Sequence, residues 1–143
     1  MPSIRKMTIF GVRVVLIVLV VYWLTIFAGT HLAHPPEISS TINDKVKHFV
    51  AYLGLTVLLS AVLDLPARKR WWIIVIAIVA TYGIVDELTQ QLVPGRVADV
   101  KDYVADLVGM IVGLGLYVTA TKLFPAKSDI AKSDIAKSDI PDR

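Results

Sequence analysis

The sequence predicts an all-α integral membrane protein: a bundle of four transmembrane helices with both termini in the cytoplasm. Three observations lead there. The first is composition: 55% of the 143 residues are hydrophobic and 19% are charged, against roughly 45–50% and 25% in soluble domains. The second is grouping, because the apolar residues gather into runs at 9–28, 48–65, 71–85 and 103–124. The third is the division of Lys and Arg between the ends of those runs.

The first run, residues 9–28, has Arg13 as its only charge. Its basic start resembles a secretory signal, but the apolar stretch is long and no clean A-x-A cleavage site follows, so a retained helix is expected. The runs at 48–65 and 103–124 are of spanning length, about 20 residues. The run at 71–85 reaches that length only if its helix continues through the polar turn at 86–92. A soluble bundle of four such helices would lack the polar surface to cover itself. An open sheet in lipid would leave strand edges unpaired, so helices are required.

Orientation follows from basic residues. With a cytoplasmic N-terminus, eleven of the fifteen Lys and Arg residues fall inside, and Lys45, Lys47, Arg96 and Lys101 fall outside. That is the positive-inside pattern, with Trp71 and Trp72 beside the basic residues 68–70 as interfacial anchors. Seven of the twelve acids, Glu37, Asp44, Asp86, Glu87, Asp99, Asp102 and Asp106, then lie on the outer side.

Boundary signals refine the helices. Pro35-Pro36 interrupts the first outer loop. Thr41 or Asn43 is placed to cap the second helix, with Asp44 in its first turn. Pro66 ends that helix. Pro94-Gly95 marks a turn after the third helix, and the fourth starts between Asp99 and Asp102. Residues 1–8 form a cytoplasmic lead and 9–124 the membrane domain. The tail, 125–143, repeats AKSDI three times. A period of five matches neither helix nor strand, so a disordered cytoplasmic tail is expected.

The chemistry-bearing residues sit at the outer helix ends. Asp44 and His48 are four apart and share a face, as do Glu87 and Gln90 or Gln91, with Gly83 one turn deeper. Asp102, Asp106, Gly109 and Gly113 follow at steps of four, three and four. That face leads from two carboxylates into a small-xxx-small contact that lets helices pack closely. Helices two, three and four are therefore expected to converge outside and line one small polar basin. Charges beside lipid are costly unless they pair or snorkel. Arg96 offers a bidentate fork, with Glu87 and Asp102 as expected partners, and Lys45 and Lys101 belong at the rim. His31 and His34 are expected to be solvated in the loop.

Three readings of this constellation stay open. It is an ion-pair network fixing the bundle, a site for a polar ligand, or a metal-dependent membrane hydrolase using His48, Glu87, Asp102 and Asp106. The chain has no cysteine and no HExxH, so thiolate metal sites are excluded and no metal or cofactor is expected. The basic residues cluster at helix ends instead of forming a nucleic-acid-binding face.

Three blocks carry a family resemblance: NDKVKHFVAYLGL at 43–55, DELTQQLVPGR at 86–96 and DYVADLVGMIVG at 102–113. Together they resemble the VanZ-like family of small membrane proteins. The first block is matched by Asp44, Lys45, His48, Phe49 and Tyr52. The second is matched by Glu87, Gln90, Pro94, Gly95 and Arg96, and the third by Asp102 and Gly109. The departure is Asp106, where the family usually has Asn. The resemblance covers about residues 9–120. It implies a multi-pass protein of the bacterial inner membrane acting near the cell envelope, with no enzymatic activity attached. Its partners would be the bilayer and a lipid-linked envelope precursor or a glycopeptide, and it implies a link to teicoplanin resistance. On this reading the site residues are Asp44, Lys45, His48, Glu87, Gln90, Arg96, Asp102 and Asp106, with Gly109 and Gly113 packing the helices.

Overall fold

The computed structural model describes residues 8–9, 12–31, 43–63 and 69–124. These form helices α1 (Val14–Thr30), α2 (Asp44–Leu63), α3 (Trp71–Gln90) and α4 (Val100–Leu123), preceded by a short antiparallel ladder of β1 (Thr8–Ile9) and β2 (Val12–Arg13). The all-α expectation holds. The lead before residue 8, the Thr41 cap, His34, Pro66 and the AKSDI tail lie outside the described residues.

Three helices, α2 and α3 at 20 residues and α4 at 24, are long and apolar enough to cross a membrane. At 1.5 Å per residue, 20 residues span about 30 Å, the thickness of the hydrocarbon. α3 reaches that length by running on through Asp86 and Glu87 to Gln90. The short helix is instead α1, at 17 residues. Ile9 and Val12, expected in its first turns, pair as strands, as does Thr8 of the lead with Arg13, so the helix starts only at Val14.

The side chains are arranged inside out relative to a soluble protein. Leu24 and Ile111 are 63% and 66% exposed on the bundle's outside, while Asp86 and Asp106 are 0% and 1% exposed within it. An apolar exterior around a partly polar interior suits lipid, where the hydrocarbon solvates Leu and Ile and charges must pair inside. The apolar core, Val15, Leu19, Leu55, Leu59, Val75 and Val79 among others, fills the rest of the interior.

Neighbouring helices in the chain run antiparallel. Arg13, just before α1, donates to the Val62 carbonyl near the end of α2 at 3.3 Å, and Trp71 at the start of α3 meets Tyr117 near the end of α4 edge to face. α2 and α4 run parallel in direct backbone contact. A Cβ on Gly109 would collide with the Phe49 carbonyl oxygen, and one on Gly113 would sit 2.6 Å from the Leu53 carbonyl oxygen. The small-xxx-small expectation is met here, since only hydrogen fits at both positions.

The two ends of the bundle differ in charge. Arg13, Lys69, Arg70 and Lys122 mark one end, and every described acid lies at the other.

Candidate functional site

The acidic end is built from four helix termini and the turn between α3 and α4. Asn43 accepts the Lys45 N–H at 3.0 Å, as an N-cap does, and so starts α2. Asp99 does the same for α4, taking the Lys101 N–H at 2.8 Å. Between the helices, the Arg96 N–H closes a turn on the Val93 carbonyl at 3.1 Å. Gly95 there has φ +83°. Proline second and a positive-φ glycine third are the residues a type II turn requires.

At the centre His48, Glu87 and Asp106 meet, one each from α2, α3 and α4. His48 Nδ1 lies 3.0 Å from Asp106 Oδ1 and 3.8 Å from Glu87 Oε1. All three are buried. The other Glu87 oxygen accepts the Asp99 backbone N–H at 2.9 Å, which ties the α3–α4 turn to the cluster. Asp106 thus makes a direct contact with His48.

The rim holds the basic residues. Lys45 bridges α2 to the start of α4, donating to Asp102 Oδ1 at 2.9 Å and Asp99 Oδ2 at 3.0 Å. These contacts hold the Asp99 carboxyl below the usual carboxylate range; the Lys101 N–H contributes most and the Lys45 ammonium next. Arg96 pairs with Asp44 at 3.4 Å, and Lys47 donates to the other oxygen of Asp44 at 3.2 Å.

The Arg96 pairing corrects the expected partners, Glu87 and Asp102. The Val93–Arg96 turn returns the guanidinium toward the start of α2, where Asp44 stands, and Glu87 and Asp102 are already held by the Asp99 N–H and Lys45. Lys45 is likewise more than a rim charge. Gln90 is buried, and its amide donates to Asp86 at 3.0 Å.

α1 joins this end through residues that sequence reasoning left out. Thr30 donates to Asp86 Oδ1 at 2.9 Å, and His31 Nε2 lies 3.0 Å from Thr89 Oγ1. His31 is therefore docked on α3 and not solvated. The spacing of Asp86 and Gln90, four apart on one helix face, was the available signal for the Asp86 contact. Nothing local marked His31, which lies beyond the end of the apolar run.

A cavity of about 440 Å³ lies between α1 and α2. Its walls are Tyr22, Ile26, Val46, Val50 and Ala51, and its mouth carries Asp44, Lys47, His48 and Arg96. Val46 and Val50, which line it, are about half exposed on the bundle's outside. One end is apolar and the other carries Asp44 with its two cationic partners, Lys47 and Arg96, and His48 is common to the cavity and the buried cluster.

Of the expected site residues, then, the structure gathers His48, Glu87 and Asp106 in a buried core. It places Asp44, Lys45, Arg96 and Asp102 in two rim pairs and puts Gln90 in a neighbouring contact with Asp86.

A protein of Schizosaccharomyces pombe described as "Uncharacterized protein C11E3.10" is 29% identical over 105 residues, covering 73% of this chain. The chain spans 65% of that relative's length. No solved structure matches the chain significantly. Residues 10–123, which hold all four helices apart from neighbouring loop and ladder residues, match VanZ/LLP1. The chain belongs to the VanZ/LLP1 family, as a multi-span membrane member of it.

Proposed function

We propose that the protein binds a lipid-linked ligand at the acidic end of the bundle, with the apolar chain in the α1–α2 cavity and an anionic headgroup at its mouth. The observation that carries this is the cavity's polarity: Val50, Ala51 and Ile26 in its walls, with Arg96 and Lys47 at the opening. Arg96 and Lys47 both face Asp44, a single carboxylate with two cationic partners. Two cations against one anion leave donor capacity for a phosphate or carboxylate headgroup.

Orientation bears on which ligand. The end bearing Arg13, Lys69, Arg70 and Lys122 is the cytoplasmic one by the positive-inside rule. On that reading the cavity faces the outer leaflet of a bacterial inner membrane, where lipid-linked envelope precursors are presented. A glycopeptide of the teicoplanin class, to which the VanZ resemblance points, is the other ligand considered.

Native mass spectrometry of the detergent-purified chain with a polyprenyl phosphate, and in parallel with an anionic diacyl phospholipid, tests the proposal. Retention of either is expected. Arg96→Ala should weaken it by about 10-fold or more, the worth of one hydrogen bond to a charged group. Equal retention by wild type and Arg96→Ala at normal protein levels would overturn the reading.

A second reading is favoured by the pairing of Lys45 with Asp99 and Asp102 and of Arg96 with Asp44, which tie the helix ends together. On that view the network is structural, or serves a protein partner. Disappearance of Arg96→Ala and Glu87→Gln from the membrane, with a stoichiometric co-purifying protein and no lipid, would establish it.

A further inference from the structure

The structure assigns a divalent-cation site to His48, Glu87 and Asp106, inside the bundle and next to the lipid cavity. This site stands independently of the lipid reading.

Geometry is the first support. Ligand atoms of the three side chains lie within 4.8 Å of one another. Imidazole nitrogens and carboxylate oxygens bind zinc at about 2.0–2.2 Å, so two ligands on one ion stand about 3–3.5 Å apart. His48 Nδ1 and Asp106 Oδ1, at 3.0 Å, already have that separation. Glu87 Oε1, at 3.8 Å from the same nitrogen, reaches it by a rotation of a few tenths of an ångström.

The second support is independent of spacing. Glu87 is 6% exposed and Asp106 1%. Glu87 Oε1 and Asp106 Oδ2 have no hydrogen-bond partner among the described residues. The unpartnered Glu87 oxygen is the one facing His48. A buried carboxylate oxygen without a donor is costly, and a cation between Glu87 Oε1 and His48 would satisfy the one that faces the imidazole.

Charge balance separates this triad from the neighbouring set of Asp44, His48 and Asp102, which also has ligand spacing. Asp44 already has Arg96 and Lys47, and Asp102 has Lys45. Neither Glu87 nor Asp106 has a lysine or arginine partner among the described residues, and the fully buried Asp86 adds a further acid nearby. One imidazole with two carboxylates suits a first-row divalent ion such as Zn²⁺ or Mn²⁺.

The test is metal binding by the full chain in detergent, without added lipid. Elemental analysis after equilibration with Zn²⁺ or Mn²⁺ should find about one ion per chain. Glu87→Gln and Asp106→Asn keep side-chain shape, and each should raise the dissociation constant by about 100-fold or more, beyond what loss of an outer-shell partner does. Mn²⁺ bound to wild type should show nitrogen modulation from an imidazole in pulsed electron paramagnetic resonance, a readout that needs no variant to fold. Absence of stoichiometric binding, absence of the nitrogen signal, or unchanged affinity in Glu87→Gln would each overturn the site. So would a loss confined to Asp44→Asn, which would place the ion on the other set. Because no lipid enters the assay, failure of the metal site is distinguishable from failure of the lipid reading.

Discussion

The two sides of α2 are packed by opposite means. Toward α4, Phe49 and Leu53 present bare backbone carbonyls to Gly109 and Gly113, so the helices touch through main chain. Toward α1, contact is made by side chains. Tyr22 reaches across to the Ala51 carbonyl at 3.2 Å, and the space beside it is the 440 Å³ cavity. A seam made mostly of backbone has few rotamers to adjust. It holds His48 against Asp106 to within a hydrogen bond, while the α1 side leaves room for a guest. One helix thus serves as part of a rigid frame and as one wall of an entrance.

Glycine substitutions separate the two sides, and the largest effect is expected at the seam. Gly109→Leu places a branched side chain on the Phe49 carbonyl, which is backbone and cannot swing away. A loss of about 3 kcal/mol or more is expected from overpacking, seen as failure to recover folded protein or as a steep drop in melting temperature in detergent. Gly113→Ala, against the Leu53 carbonyl and the Thr56 Cβ, should cost about 1–3 kcal/mol by the same mechanism. If either variant melts like wild type, the seam is not the rigid element.

On the α1 side the same change should be milder. A Cβ on Gly54 meets the hydroxyl end of Tyr22, a flexible side chain that can turn aside at the cost of its bond to Ala51. About 1 kcal/mol is expected, the net worth of one hydrogen bond. Gly29 lines the cavity, and a Cβ there meets nothing within 4 Å. Gly29→Leu should leave the melting temperature near wild type and reduce retention of a polyprenyl phosphate by filling the mouth. A normal fold with unimpaired lipid retention would show that the cavity is not the entrance.

How much of this was legible in the sequence follows the same division. The seam was, because Gly109 and Gly113 stand four apart below two carboxylates, and a local spacing suffices to mark a contact face. The Pro94-Gly95 turn, Asn43 as one of two cap candidates for α2, the start of α4 near Asp99 and the gathering of polar faces at one end were legible for the same reason. The α1 side was not. His31 lies past the end of an apolar run and looks like loop, yet α1 continues to Thr30 because Thr30 and His31 find Asp86 and Thr89 on α3. Arg96 had three acids within plausible reach. The choice of Asp44 depends on how far α2 is rotated and how deep it sits relative to the turn, quantities that no spacing along one chain segment encodes. The cavity arises from the same inter-helix geometry.

The smallest expected effect concerns the acidic end of the seam, where Lys45 on α2 holds Asp99 and Asp102 at the start of α4. If main-chain packing supplies most of the strength, this exposed clamp should add little, as surface ion pairs do. Asp99→Asn isolates the charge. Asparagine caps helices as well as aspartate, so the bond to the Lys101 N–H survives while one of the two ionic partners of Lys45 is lost and Asp102 remains. The folded-state carboxyl of Asp99 titrates below its ordinary value of about 3.9 because the Lys101 N–H and Lys45 favour the charged form. Its contribution is therefore fully present above that value and disappears as the pH falls through the lower, folded-state value. Wild type should melt slightly above Asp99→Asn at pH 6, and the gap should close on acidification below about pH 4 and narrow in 1 M salt, where the Debye length is about 3 Å. A gap as large as that of Gly113→Ala would move the strength of the seam from its glycines to its rim.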